Sequence, residues 1–131
     1  MRRESWREEQ GQAVLEMALV LPILVLLLLG IVEMGRIGYA FITVNNAARA
    51  GARVASVGGT DAEITAAVQG AAPSLNTDSL AITISPVQAS RESGQTVTVD
   101  IKSPVSLIMP IPETIISNPV IVEAQVSMRA E

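Results

Sequence analysis

The feature that most constrains this chain is an apolar run of twenty residues, from Ala13 to Val32, in which Glu16 is the only charged side chain. As an α-helix with a rise of about 1.5 Å per residue, the run is roughly 30 Å long, which matches the hydrocarbon thickness of a bilayer. A helix buried in a soluble protein normally keeps a polar face, and Met17 to Val32 has none. The run therefore predicts a helix that enters a membrane.

The positive charges on the two sides of this run give only a weak indication of which end of the helix faces the cytoplasm. Three arginines precede it and three follow it before the next break in the pattern: Arg2, Arg3, Arg7, Arg36, Arg49 and Arg53. We favour a single pass through the inner (cytoplasmic) membrane with the amino terminus in the cytoplasm. The alternative is a secretory signal cut after Ala40. It is disfavoured because the run exceeds the usual length of about 7–15 residues and because Glu33 and Arg36 would precede the cut.

The helical pattern continues beyond the membrane run. One apolar stripe has a spacing near 3.6 residues and comprises Ile37, Phe41, Val44, Ala48, Ala52 and Ala55. A polar stripe comprises Asn46, Arg49, Arg53 and Ser56. The paired glycines of "SVGGT" end the pattern, so one helix of about 70 Å is predicted from about Gln12 to Val57. Pro22 should bend it, since proline cannot donate to the carbonyl of Ala18. Four small residues would allow other backbones to approach: Gly30, Gly35, Gly38 and Gly51.

The carboxyl-terminal half predicts a short helix and a sheet. Thr60 and Glu63 match a capping box, and Pro73 follows the helix that they begin. Three later segments alternate with period two, around Leu80–Ile84, Val97–Ile101 and Val120–Met128. Such alternation is typical of antiparallel strands with one buried face. The proline-rich segment 103–119 is predicted to be an irregular excursion that packs on the sheet edge or on a partner.

These patterns together predict an α+β fold, in which a long amino-terminal helix packs its apolar stripe on a small antiparallel sheet. Because only three side chains are aromatic, the core must consist of Val, Ile, Leu and Ala.

Composition excludes several classes of function. The net charge is −4, and the six basic residues after Gly11 are scattered, so nucleic acid is not expected as a partner. Histidine and cysteine are absent, which removes the usual general base, the thiolate nucleophile and the commonest metal ligands. We expect no enzyme activity, no catalytic residue, no metal and no cofactor. The adjacent Lys102 and Ser103 could suggest a Ser–Lys nucleophile, but no supporting groups accompany them.

Glu16 requires a physical explanation because an acid in the middle of a membrane helix costs about 2.5–3.5 kcal/mol, and less near its end. If the chain stays intact, Glu16 lies near the interface and can be solvated. If the chain is cut after Gly11, Gln12 gains a free amine that is mostly charged at neutral pH. That amine could pair with Glu16 four residues along the same helix, or with Glu16 of a neighbouring chain.

Residues 9–57 resemble a known family. A short polar leader that ends in Gly11, followed by "QAVLEM" and a Leu-rich helix, is similar to the cleavage site of a type IV prepilin. The longer stretch with Pro22, "GIVEMGR" and "NNAARAGAR" resembles the TadE-like proteins of the tight-adherence type IV pilus system, usually counted as minor pilins or pseudopilins. The carboxyl-terminal strands resemble that family more loosely. Met17 departs from the pattern, because an aromatic residue commonly follows the glutamate.

The resemblance implies a pilin-like organisation of the chain. Residues 1–11 would be the prepilin leader, 12–33 the membrane or filament-core half of the helix, 34–57 its amphipathic half and 60–131 a globular domain. A prepilin peptidase would cut between Gly11 and Gln12, and Glu16 would guide subunit docking. The implied partners are this peptidase, membrane lipid, an inner-membrane assembly platform and other pilin or pseudopilin subunits, contacted through their amino-terminal helices. The product would be an extracellular filament for adhesion.

A second hypothesis is a membrane-tethered envelope binding module that never polymerises. On that hypothesis the leader persists and Glu16 has no role. A third, a secreted hydrolase released at Ala40, has little support because it would lack both His and Cys.

Overall fold

The computed structural model describes the backbone of residues 2–131 and the side chains of residues 11–131. It contains two helices and three strands in the order α1 (Arg2–Ser56), α2 (Asp61–Ala71), β1 (Ala81–Ser85), β2 (Thr96–Val105) and β3 (Val120–Arg129). Short 3₁₀ turns lie at Thr77–Ser79 and Gln88–Ser90. The predicted α+β fold, with a long amino-terminal helix and a small antiparallel sheet, is confirmed.

Helix α1 begins earlier than predicted. It starts at Arg2, whereas the sequence predicted a start near Gln12, so the predicted boundary was wrong. Residues 2–10 contain no proline, and a single glycine at position 11 costs a helix only about 1 kcal/mol, so nothing local stops the helix there. The side chains of the predicted leader before Gly11 lie outside the described residues.

The carboxyl end of α1 is a Schellman motif. The N–H of Gly58 donates to the carbonyl of Ala55, and the N–H of Gly59 donates to the carbonyl of Val54. Gly58 has a φ of +82°, a left-handed conformation that glycine adopts without steric cost. The stop predicted from the paired glycines is therefore confirmed.

The capping box at the start of α2 is also confirmed. The Glu63 N–H donates to the Thr60 hydroxyl, while the Thr60 backbone N–H donates to the Glu63 carboxylate. That backbone hydrogen bond, with a second from the Thr60 hydroxyl, lowers the pKa of the Glu63 carboxyl below its ordinary value. The interaction thus stabilises the fold at neutral pH and is lost as the pH falls through the lowered pKa.

The sheet is an antiparallel meander with β2 in the centre. Ile101 of β2 pairs with Ile82 on one side and with Ala124 on the other. Strand β2 continues through Pro104 to Val105, whereas the sequence assigned residues from Ser103 onward to an irregular excursion; that boundary was wrong. Strand β1 pairs only as far as Lys102, so β2 has an open edge beyond it, where a residue without an N–H is tolerated.

The core lies between α1, α2 and one face of the sheet. Its fully buried members come from every layer and are almost all Ala, Val or Ile: Val44, Ala48, Ala52, Ala55, Ile64, Val68, Ala72, Val97, Val99 and Ile101. The predicted apolar stripe of α1 and the predicted composition of the core are confirmed, with one correction. Phe41 is 53% exposed, because the buried face of α1 runs through Ala40 and Val44 and leaves Phe41 at its margin.

The connection between β1 and β2 is fastened to the turn between the helices by Arg91. Its buried guanidinium donates to the Asp61 carboxylate at 2.6 Å and to the carbonyl of Gly59 at 2.8 Å. Asp61 also exchanges hydrogen bonds with Gln88. These contacts hold the connection against the start of α2.

Gly51 sets the distance between α1 and α2, and Gly51→Ala should therefore destabilise the protein. A Cβ at this position would lie 2.6 Å from the Cγ2 of Val68, which is fully buried. Overpacking of a core costs about 1–3 kcal/mol, while alanine is favoured over glycine in a helix by about 1 kcal/mol. We expect a net loss of up to about 2 kcal/mol in a urea titration of the full chain in detergent micelles.

The matched control for this substitution is Gly70→Ala in α2. Among the residues described, nothing lies within 4 Å of a Cβ placed on Gly70. This variant should keep or slightly raise the free energy of unfolding. Equal stabilities for the two variants would contradict the close approach at Gly51.

Candidate functional site

The amino-terminal half of α1 projects from the globular part of the molecule with its whole circumference uncovered. Every residue from Gly11 to Leu28 is exposed, including the large apolar side chains Leu15, Leu19, Ile23 and Leu27. This helix is the one candidate membrane span in the part of the chain that the structure describes. An apolar surface of this size must be covered by lipid or by other helices, which is consistent with membrane anchoring.

Gln12 and Glu16 lie on the same face of this projecting helix. The side-chain amide of Gln12 donates to the Glu16 carboxylate at 3.4 Å, and both side chains are exposed. Gln12 lies one turn before Glu16 in α1, so a terminal amine formed at Gln12 would lie at the start of the turn that carries the acid. The pairing of that amine with Glu16 stays a prediction.

The other residues that the sequence singled out lie along the same helix. Pro22 is inside α1, which continues through it, and the predicted bend stays a prediction. The predicted approach of other backbones at the small residues stays a prediction; at Gly51 the close neighbours are the side chains of Val68, Ile64 and Val99. Among the described residues, nothing lies within 4 Å of a Cβ placed on Gly35 or Gly38. These two positions are therefore open to a neighbouring helix.

A second set of polar contacts is centred on Glu33, the first residue after the apolar run. Its side chain is only 7% exposed, and its carboxylate accepts hydrogen bonds from the backbone N–H groups of Ile108 and Met109. Arg36, one turn later, donates to the same carboxylate at 2.9 Å and to the carbonyl of Ser106 at 3.2 Å. Glu33 and Arg36 together fasten the segment that follows β2 to the middle of α1.

We call residues 106–119 the apolar loop. The sequence predicted that the wider segment 103–119 packs on the sheet edge or on a partner, whereas the contacts of the loop described here are with α1. Met109 reaches Gly30, where its Cε lies 3.5 Å from the position of a Cβ. The loop is closed at its base because the side chain of Asn118 accepts a hydrogen bond from the N–H of Leu107 at 3.0 Å.

Sequence reasoning missed the role of Glu33. It used Glu33 and Arg36 only for the resemblance and against a secretory signal, although an acid and a base three residues apart at the end of an apolar run could have indicated a neutralised, buried carboxylate. The partner could not have been found, because the two amides that bind Glu33 lie more than seventy residues away in the chain.

Two kinds of chemistry were considered from the sequence, metal binding and a Ser–Lys nucleophile, and the described residues bear on both. No group of acidic residues among residues 11–131 is placed to hold a metal ion. Lys102 and Ser103 lie on opposite faces of β2: Ser103 is buried, while Lys102 forms an exposed ion pair with Glu123 at 3.3 Å. They therefore do not form the Ser–Lys pair considered from the sequence.

Comparison with known proteins supports the resemblance found in the sequence. The family model described as TadE-like protein matches residues 11–53, which comprise most of α1 from Gly11 onward. No curated protein and no solved structure matches the chain. The match confirms the TadE-like resemblance over that segment and supports a role in the tight-adherence pilus system. The family is not an enzyme family.

Proposed function

We propose that this protein is a pilin or pseudopilin of a tight-adherence type pilus, cut after Gly11 by a prepilin peptidase and used in assembling an extracellular filament. The observation that carries the proposal is the uncovered half of α1, an apolar helix with Glu16 as its one acid. Such a surface suits two successive environments, the bilayer before assembly and the helices of neighbouring subunits afterwards.

Two features of the chain support cleavage after Gly11. The TadE-like match begins at Gly11 itself, and Glu16 follows at the spacing that the resemblance implies. Cleavage would turn the Gln12 nitrogen into an amine, on the face of the helix that already brings Gln12 to Glu16. The amine would neutralise an acid that is otherwise costly in a low-dielectric filament core.

In the assembled state, we propose that Glu16 sets the axial register between subunits. A charged pair formed between the amine of one chain and Glu16 of its neighbour is satisfied only when the two helices are correctly aligned. The open positions at Gly35 and Gly38 would let neighbouring helices approach closely farther along α1. The globular part, held on the other half of α1, would then lie outside the filament core.

Glu16→Ala should therefore abolish filament assembly without reducing the amount of protein in the membrane. Removal of the acid leaves a more apolar helix, so insertion should be unchanged or improved, while the pairing that sets register is lost. The measurement is an immunoblot of filaments sheared from cells, compared with one of the membrane fraction.

Glu113→Ala is the matched control, because it removes one exposed acid from the globular part and leaves α1 intact. This control should assemble like the unmodified protein. Normal filament yield from Glu16→Ala would contradict the docking role. A membrane-anchored protein that is never found in the sheared fraction, in either form, would instead favour the non-polymerising binding module.

A further inference from the structure

The apolar loop exposes large hydrophobic side chains although it belongs to the globular part of the molecule. Ile108 is 65% exposed and Ile115 is 72% exposed, and Ile116, which follows Ile115 in the chain, is also exposed. The loop has one charged side chain, Glu113, in fourteen residues. Exposed apolar side chains grouped in this way mark an interaction surface.

The position of the loop along α1 indicates what covers it. Met109 contacts Gly30, which lies inside the apolar run, and the amides of Ile108 and Met109 bind Glu33, the first charged residue after that run. When α1 spans a bilayer, the loop is therefore level with the end of the span. At this level the surroundings are the headgroup layer and the upper part of the acyl chains.

The backbone of the loop suits a mixed surrounding such as the interface, because N–H groups without a partner are costly only where polarity is low. Three of its residues have no N–H, namely Pro110, Pro112 and Pro119. Six of its N–H groups are bonded within the protein. These N–H groups belong to Leu107, Ile108, Met109, Ile111, Ile115 and Ile116. They donate to the side chains of Asn118 and Glu33 and to the carbonyls of Met109 and Pro112. The other five N–H groups of the loop, in the polar residues Ser106, Glu113, Thr114, Ser117 and Asn118, have no such partner and can bond to water or to lipid headgroups.

We propose that the apolar loop inserts Ile108, Ile115 and Ile116 into the interfacial layer of the membrane that α1 spans. The loop then acts as a second contact with the bilayer and fixes the depth and rotation of α1 before assembly. Buried Glu33 connects the loop to the helix, because its carboxylate, on α1, binds two backbone amides of the loop. The proposal depends on α1 spanning a membrane, but not on cleavage after Gly11 or on polymerisation.

The absence of cysteine allows a direct test in the full chain. Ile115→Cys, labelled with an environment-sensitive fluorophore, is reconstituted into phosphatidylcholine vesicles. The control is Ser93→Cys, at an exposed site near the carboxyl end of α1. We expect the label at position 115 to emit at shorter wavelength, to be quenched by spin-labelled lipid, and to be several-fold less sensitive to aqueous iodide than the label at position 93.

Dilution separates lipid from a second copy of the chain as the covering partner. At about one chain per vesicle, the shielding at position 115 should persist. Shielding that disappears on dilution would overturn the proposal in favour of a subunit contact, and equal iodide sensitivity at positions 115 and 93 would overturn it outright. Addition of Ile108→Asp and Ile116→Asp to the labelled protein should restore iodide quenching, with an unchanged circular dichroism spectrum.

Discussion

Gly11→Leu should leave the amino-terminal segment attached to the protein recovered from cells. In the proposed processing step, the backbone on both sides of the bond must enter the site of a membrane-embedded peptidase, and a small residue before the bond permits that approach. Gly11 is exposed, and among the described residues nothing lies within 4 Å of a Cβ placed there. Leucine should therefore not disturb the fold, so that its effect falls on cleavage alone.

Intact mass spectrometry of the recovered chain measures this effect. The unmodified protein should begin at Gln12 and the Gly11→Leu protein at Met1, while a start at Phe41 would indicate a secretory signal instead. The matched control is Gly35→Ala, a change at another exposed glycine of α1, which should be processed normally. A mature mass for Gly11→Leu equal to that of the unmodified protein would contradict cleavage by a peptidase of this type.

Glu33→Ala should release the apolar loop from α1. The substitution removes the acceptor of the Ile108 and Met109 amides and the partner of Arg36. A buried donor that loses its acceptor costs about 1–3 kcal/mol. Because the Arg36 side chain is 39% exposed, water compensates for much of the lost ion pair, and most of the effect comes from the two amides. We expect a loss of about 2–4 kcal/mol in the local free energy of opening.

Hydrogen exchange at the Ile108 and Met109 amides reports this release. A loss of that size corresponds to exchange about 30- to 1,000-fold faster, at about 1.4 kcal/mol for each factor of ten. Glu33→Gln, which retains one oxygen acceptor, should have an intermediate effect, and Glu113→Ala in the same loop should have none. If exchange at both amides were unchanged in Glu33→Ala, the carboxylate would not hold the loop.

The elements that were predicted correctly are those whose signals are local. The capping box at Thr60 and Glu63 and the paired glycines after Val57 each lie within a few residues of the helix end that they specify. The alternation in the three strands is equally local, and it identified the buried face of the sheet. The resemblance over α1 was recognisable for the same reason, since its motif is continuous in the chain.

The errors occurred where two distant segments decide the outcome. Nothing in the sequence around Pro104 shows that β1 stops pairing at Lys102 and leaves an edge on which β2 can continue. Phe41 fits the helical period, yet the sheet packs one residue to the side of it, against Ala40 and Val44. The start of α1 was misplaced for a different reason, because the helix was taken to begin with the apolar run, whereas the polar residues before Gly11 also belong to it.

The sequence by itself determined that the first half of the protein is an apolar helix with one acid near its start, because hydropathy and helical period are properties of consecutive residues. It also determined the α+β class and the absence of histidine and cysteine chemistry. Only the tertiary structure decided that Glu33 is a buried anchor and that the apolar loop lies at the end of the span. Those facts depend on contacts across more than seventy residues, which chain topology brings together and no local pattern encodes.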